Sequence, residues 1–251
     1  MTALLTLNNV SKSFTRGGIF SRHRIEAVKN VSFTLNNDHP EIFAIIGESG
    51  SGKTTLARMI LGTQEVSGGS LTLEGKRVGG RTRKERLAFM AKVQPIFQNP
   101  FEAFNPLKKI DYYLLLTAMR FGGSAGIAEA EAAADLALRQ VGLSLSEVRG
   151  RFPHEMSGGQ LQRVAIARAL VSKPRMIVAD EPVSMVDASL RMAIVNLFGE
   201  LRDKLGLSII YITHDLATAY YIADRLIIMQ KGEVVEAGAA RAVLSLSLIH
   251  I

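Results

Sequence analysis

Ile42-Phe43-Ala44-Ile45-Ile46-Gly47-Glu48-Ser49-Gly50-Ser51-Gly52-Lys53-Thr54-Thr55 is the stretch that decides the fold. Five apolar residues without polar alternation read as a strand buried on both faces. The strand runs directly into a glycine-rich loop, and 54–61 then carries the apolar spacing of a helix ended by Gly62. Gly47, Gly52, Lys53 and Thr54 hold the fixed positions of the pattern Gly-x-x-x-x-Gly-Lys-Ser/Thr. Glycines let backbone N–H groups converge on phosphate oxygens, and the helix start adds its dipole. Lys53 is placed to reach the β and γ phosphates and the Thr54 hydroxyl to ligate Mg²⁺. Alone, the pattern arises by chance in about one per cent of chains this long, so by itself it means a phosphate binder.

Outward from this unit, short β runs at 4–10 and 27–35 precede it, and 68–73 follows it toward a turn at Glu74-Gly75. From about residue 101 the character becomes helical, with helices expected at 111–121 and 125–141 and Gly142 as the closing cap. Alternation then returns: helix 161–171, strand 176–179, helix 189–205, strand 208–213, helix 216–224, strand 225–230. Strands alternating with helices imply a mostly parallel sheet. The expected architecture is α/β. Residues 1–98 and 161–243 form the core and 99–160 an inserted helical subdomain, while 244–251 is set aside as a non-native tail. Its final six residues resemble a translated adapter sequence; the alternative is a genuine C-terminal strand.

Composition narrows the class. The chain has 251 residues, 47% hydrophobic, enough for a full core. No apolar run approaches the roughly 18–20 residues that cross a bilayer, and the first residues lack a signal-peptide pattern, so the chain is expected to stay in the cytosol. Zero cysteines remove disulfides, thiol catalysis and thiolate metal sites together. The +7 net charge admits nucleic acid, an anionic membrane or a basic exterior. Basic residues are scattered, and the densest run, 76–86, has only Phe89 as a nearby stacking ring. It reads as a solvated loop or membrane-facing surface, and no nucleic-acid partner is expected.

Two further motifs carry chemistry. Met176-Ile177-Val178-Ala179-Asp180-Glu181 is a buried strand delivering two carboxylates at its C-terminal end. Asp180 can hold Mg²⁺ through its water shell while Glu181 orients and deprotonates an attacking water; the competing reading is an exposed Asp-Glu-Pro turn. Met156-Ser157-Gly158-Gly159-Gln160 precedes an apolar helix and offers a second set of helix-start N–H groups plus a hydroxyl. One nucleotide does not need two such cradles.

Ser157-Gly158-Gly159-Gln160 resembles the signature of ABC transporter ATP-binding subunits, and the resemblance runs from about residue 4 to 243. It implies a P-loop NTPase (RecA-like) core with a mostly parallel sheet, an antiparallel β subdomain and an inserted helical subdomain. It also implies ATP and Mg²⁺ at Gly47, Glu48, Ser49, Gly50, Ser51, Gly52, Lys53, Thr54 and Thr55, with Thr54, Gln98 and Asp180 about the metal. By the same resemblance Glu181, His214 and Gln98 are catalytic, Ser157, Gly158, Gly159 and Gln160 meet the ATP of a partner chain, and Asp187 communicates across the dimer. Phe14 stands where the family places an aromatic ring against adenine; Phe20 competes with it, as Gln94 does with Gln98. The strings Phe97-Gln98-Asn99-Pro100-Phe101 and Val178-Ala179-Asp180-Glu181-Pro182 resemble the oligopeptide, dipeptide and nickel importer subgroup. Implied partners are a second ATP-binding subunit, transmembrane permease subunits and, indirectly, an extracytoplasmic substrate-binding protein, with the chain peripheral at the cytoplasmic face of the cell membrane. A soluble ATPase of the same type acting on nucleic acid or ribosomes is the alternative. Departures are Asp38-His39-Pro40-Glu41 in place of a glycine turn, and Met185-Val186 where Ala-Leu is commoner.

Overall fold

The computed structural model describes residues 2–16, 23–79 and 82–247. One sheet is antiparallel and comes early in the chain, from β1 (Ala3–Arg16), β2 (His23–Asn36), β4 (Gly68–Leu73) and β5 (Lys76–Arg77), in the order β2-β1-β4-β5. The other contains β3 (Ile42–Ile46), β6 (Val93–Ile96), β7 (Met176–Asp180), β8 (Ser208–Thr213), β9 (Arg225–Gln230) and β10 (Glu233–Ala239), in the order β10-β9-β3-β8-β7-β6. All its pairings are parallel except β10 against β9.

Nine α-helices occur among the described residues: α1 (Lys53–Ile60), α2 (Arg83–Lys92), α3 (Ile110–Phe121), α4 (Ile127–Gln140), α5 (Leu145–Val148), α6 (Gly158–Val171), α7 (Ala188–Leu205), α8 (Leu216–Ile222) and α9 (Ala240–Ser247). None of them is long and apolar enough to cross a membrane.

Side-chain alternation explains how the parallel sheet is covered on both faces. Phe43 and Ile45, Met176 and Val178, and Ile210 and Ile212 point into a cluster shared with α1 and the antiparallel sheet. Their neighbours Ile42, Ile177, Ala179, Ile209 and Tyr211 point the other way, onto α6 and α7. The same second cluster takes in Leu114, Ala118, Ala134 and Leu138 from α3 and α4, so the inserted helices share a core with the sheet. Phe33 stacks on Phe43 with ring centroids 4.5 Å apart and ties the two sheets together.

Several elements differ from the sequence reading. The 76–86 run is a short strand followed by the start of α2, whose cap is reciprocal: the Thr82 hydroxyl accepts from the Glu85 N–H and the Glu85 carboxylate accepts from the Thr82 N–H. No residue of α2 is buried, which is why its apolar periodicity is faint. β6 is only four residues with a proline inside, and β10 is an edge strand with no buried residue, so neither carries a strand pattern. At the C-terminus, 240–247 is helical rather than a strand, and Leu244 is buried with Ala44, Ile46 and Leu226; residues 248–251 lie outside the described residues.

Candidate functional site

Parallel pairing of β3 with β8, and of β8 with β7, sets three strand ends side by side. Those ends deliver Gly47, His214 and the Asp180-Glu181 pair to one edge of the sheet, where α/β proteins place their ligands. An open cleft of about 1440 Å³ lies there, lined by Gly47, Glu48, Ser49, Gly50, Gly52, Lys53, Thr54, Thr55, Gln98, Glu181 and His214. Sequence reasoning missed the cleft's other wall, which includes Ala27, Ile228, Met229, Val235 and Glu236. Lys231-Gly232, both at positive φ, form the two-residue turn that joins β9 to β10 beside that wall.

Backbone hydrogen bonds hold the loop. Ser51 N–H donates to Glu48 O at 3.2 Å, and Gly232 N–H donates to Ser51 O at 3.0 Å. Ser51 itself turns away from the cleft and is buried, its Oγ without a partner. Gly52, at φ 104°, admits no side chain, because a Cβ there would come within 2.3 Å of the Ala27 carbonyl. Lys53 Nζ donates to Gly47 O at 2.6 Å and to Glu48 O at 2.8 Å. Burial pushes the Lys53 ammonium below its usual range, against the pull of Glu181 and then Asp180.

The two carboxylates occupy different environments. Asp180 is pushed above the ordinary carboxylate range, first by burial and further by Glu181; the Thr54 hydroxyl that hydrogen-bonds it, with Lys53 and Arg58, pulls the other way. Glu181 stands in the cleft with each oxygen taken: Gln98 Nε2 donates to Oε2 at 3.2 Å, and His214 Nδ1 lies 3.0 Å from Oε1. A carboxylate can only accept, so Nδ1 is the protonated nitrogen of that pair. Glu181 is also left-handed, at φ 48°, a conformation costing about 1–3 kcal/mol in a non-glycine residue. Its N–H donates to Ile212 O at 2.9 Å, and its carbonyl accepts from Ser184 Oγ at 2.9 Å.

Thr54 and Asp180 offer a hydroxyl and a carboxylate in contact, the hard oxygen donors that suit Mg²⁺. Gln98 is bonded to Glu181 rather than to Asp180. Among the described residues no group of three His, Cys, Asp or Glu side chains forms a cage. Mg²⁺ commonly uses one or two protein oxygens together with substrate phosphates, and the donor set fits that pattern.

Other candidates lie outside the cleft. Phe14 is 40% exposed on β1, with the Lys12 ammonium 5.2 Å from its ring centroid, and is not part of the lining. Phe20 is outside the described residues, and Gln94 is buried, bonded to the Met90 carbonyl. Ser157 caps α6: its Oγ accepts from Gln160 N–H at 3.2 Å, and Gln160 Oε1 accepts from Ser157 N–H at 3.1 Å. Gly158 and Gly159 form the first turn of α6, three residues earlier than the helix expected at 161. A Cβ on Gly159 would strike Leu190 Cδ1 at 2.7 Å, so this glycine lets the helix start sit against α7. Asp187 is the exposed residue capping α7, with no side-chain bond to the helix.

The ABC transporter family model matches residues 28–184. The oligopeptide transport ATP-binding protein AmiF of Streptococcus pneumoniae is 37% identical over 234 residues, covering 93% of this chain and 74% of the relative. OppF of Haemophilus influenzae is 38% identical over 241 residues, covering 94% and 72%. Among solved structures, the dimeric ATP-binding cassette MJ0796, in a post-hydrolysis state bound to ADP and Pi, is similar with a TM-score of 0.81 at 28% identity, over 94% of this chain and 99% of that one.

Proposed function

The chain belongs to the ABC transporter family and is an ATP-hydrolysing cassette of it, and from that premise we propose that it powers a peptide importer in which two cassettes close on two ATP molecules. The observation that carries this reading is Glu181, held at both oxygens by Gln98 and His214 in the same cleft as the Lys53 loop. Peptide as the cargo rests on the oligopeptide transport relatives.

In this reading the helix-start N–H groups and Lys53 hold the triphosphate, Lys53 exchanging a loop carbonyl for a phosphate oxygen. Thr54, Asp180 and Gln98 would hold Mg²⁺, which would supply charge neutralisation at the phosphates. Glu181 takes the proton of the attacking water, and His214 keeps the carboxylate oriented and meets the γ-phosphate. Phe14 would approach adenine only by moving toward the cleft. Ser157, Gly158, Gly159 and Gln160 meet the nucleotide of a second subunit, identical or paralogous, and Asp187 reports across the interface. Residues 1–98 and 161–243 act as the hydrolytic core. The 99–160 segment passes motion to permease subunits, fed by an extracytoplasmic substrate-binding protein, with the chain peripheral at the cytoplasmic face.

Glu181→Gln tests the centre of this proposal. Nucleotide affinity should persist while turnover falls by about 10²–10⁴; a variant with wild-type ATPase activity would remove Glu181 as the base. With the permease in vesicles, labelled oligopeptide uptake should require ATP, and uptake of another solute class in its place would overturn peptide as cargo.

A further inference from the structure

Gln162 stands one turn into α6 and is completely buried, an unusual place for an amide. Its Nε2 donates to the Pro182 carbonyl at 2.8 Å, while Oε1 is buried with no hydrogen-bond partner. The orientation follows from chemistry, because a carbonyl cannot donate. Pro182 follows Glu181 directly, so this bond grips the first carbonyl beyond the left-handed residue's own. The backbone around Glu181 is then fixed at three points: the N–H by β8 through Ile212, the carbonyl by Ser184, and the next carbonyl by Gln162. Only the third anchor comes from the helix that Ser157 caps.

A buried polar side chain with half its capacity unused is a poor choice for packing alone, since an apolar residue would leave no orphaned acceptor. We propose that Gln162 is a positioning residue: it holds the Pro182 carbonyl so that the Glu181 side chain stays between Gln98 and His214. The inference rests on Glu181 being the base. It adds a link within one chain, from the helix facing the partner's nucleotide to the residue hydrolysing its own. Ser157 and Gln162 lie five positions apart on one rigid element. Any tilt of α6 on closing therefore moves the Pro182 carbonyl as well.

The test is steady-state ATP hydrolysis by Gln162→Met, which keeps length and volume but cannot donate. Turnover should fall about tenfold with KM for ATP within twofold of wild type, the split expected when only the transition-state geometry is lost. In the Glu181→Gln background the same change should leave ATP-induced dimerisation unaltered, a readout that general damage to α6 would move. Gln162→Asn retains the amide but falls one methylene short; it should show the same kcat loss, and it carries the test if the Met variant does not fold. Unchanged kcat in a folded variant, or equal losses in kcat, KM and dimerisation, would overturn the assignment. If Glu181→Gln itself kept full activity, the base reading would fail first and this inference with it. If Glu181→Gln is inactive and Gln162→Met is not impaired, only the inference fails.

Discussion

Two glycine-bearing helix starts in this chain have opposite surroundings. The Gly47–Thr55 segment begins α1 inside a cleft where Gln98, Glu181 and His214 converge from other strand ends. Ser157 to Gln160 begins α6 on the surface, capped by its own side chains, with none of those residues in the cleft lining. The first is walled by side chains from several strand ends; the second is a capped helix start outside that cleft. In the proposed two-cassette assembly each helix start is one half of a site, and a second cassette supplies the other.

Removing the cation at the first half should have the largest effect. Lys53→Ala is expected to lower turnover by at least about 10²–10³ and to abolish tight nucleotide binding, measured by phosphate release and by fluorescent-nucleotide titration. Monomeric binding that survives this change would mean that the cleft is not where the triphosphate sits.

The sharpest test of the comparison uses the second half. Ser157→Arg should leave nucleotide binding by the isolated chain near wild type and lower turnover at least about tenfold by blocking closure. Mixed with Lys53→Ala chains, it should regain activity above either variant alone. In such a pair the intact loop of one chain faces the intact Ser157 of the other. A mixture as inactive as its parts would show that each site is built within a single chain.

The contrast was legible in the sequence to different depths. Gly47 to Thr55 and Met176 to Glu181 are buried-strand-plus-turn patterns whose chemistry is local, so their residues could be read directly. The wall formed by Ile228, Met229 and Val235 could not, because it depends on β9 pairing beside β3, a register set by the whole sheet. α2 was readable through Thr82 and Glu85, yet its lysines and arginines drew attention to charge instead. Gln162 looked like one more polar residue on a helix; only burial against the Pro182 carbonyl gives it meaning. Phe14 shows the opposite case, a residue singled out by its position in a motif that the fold leaves beside the cleft.

The smallest expected effect concerns the charges buried in the first half. Burial raises Asp180 above its unfolded pKa, so this group's stabilising contribution is complete below about pH 4 and is lost as pH rises through the raised value. Lys53 is lowered, so its contribution is present above the ordinary lysine pKa and is lost as pH falls through the lowered one. Both shifts have the same first cause, burial, which works against the ionised form of each group. Asp180→Asn should therefore raise the nucleotide-free Tm at pH 7, and the gain should shrink toward pH 4, where the wild-type carboxyl is itself protonated. Lys53 loses its second source of support in that variant, after Glu181, which offsets part of the gain; for a chain of this size about 1 kcal/mol corresponds to about 2–4 °C. Scanning calorimetry across that pH range reads the sign. A lower Tm at pH 7, or a difference that does not change with pH, would mean that the Thr54 hydrogen bond to Asp180 outweighs burial, and the first half would then be relaxed rather than poised for an anion and its metal.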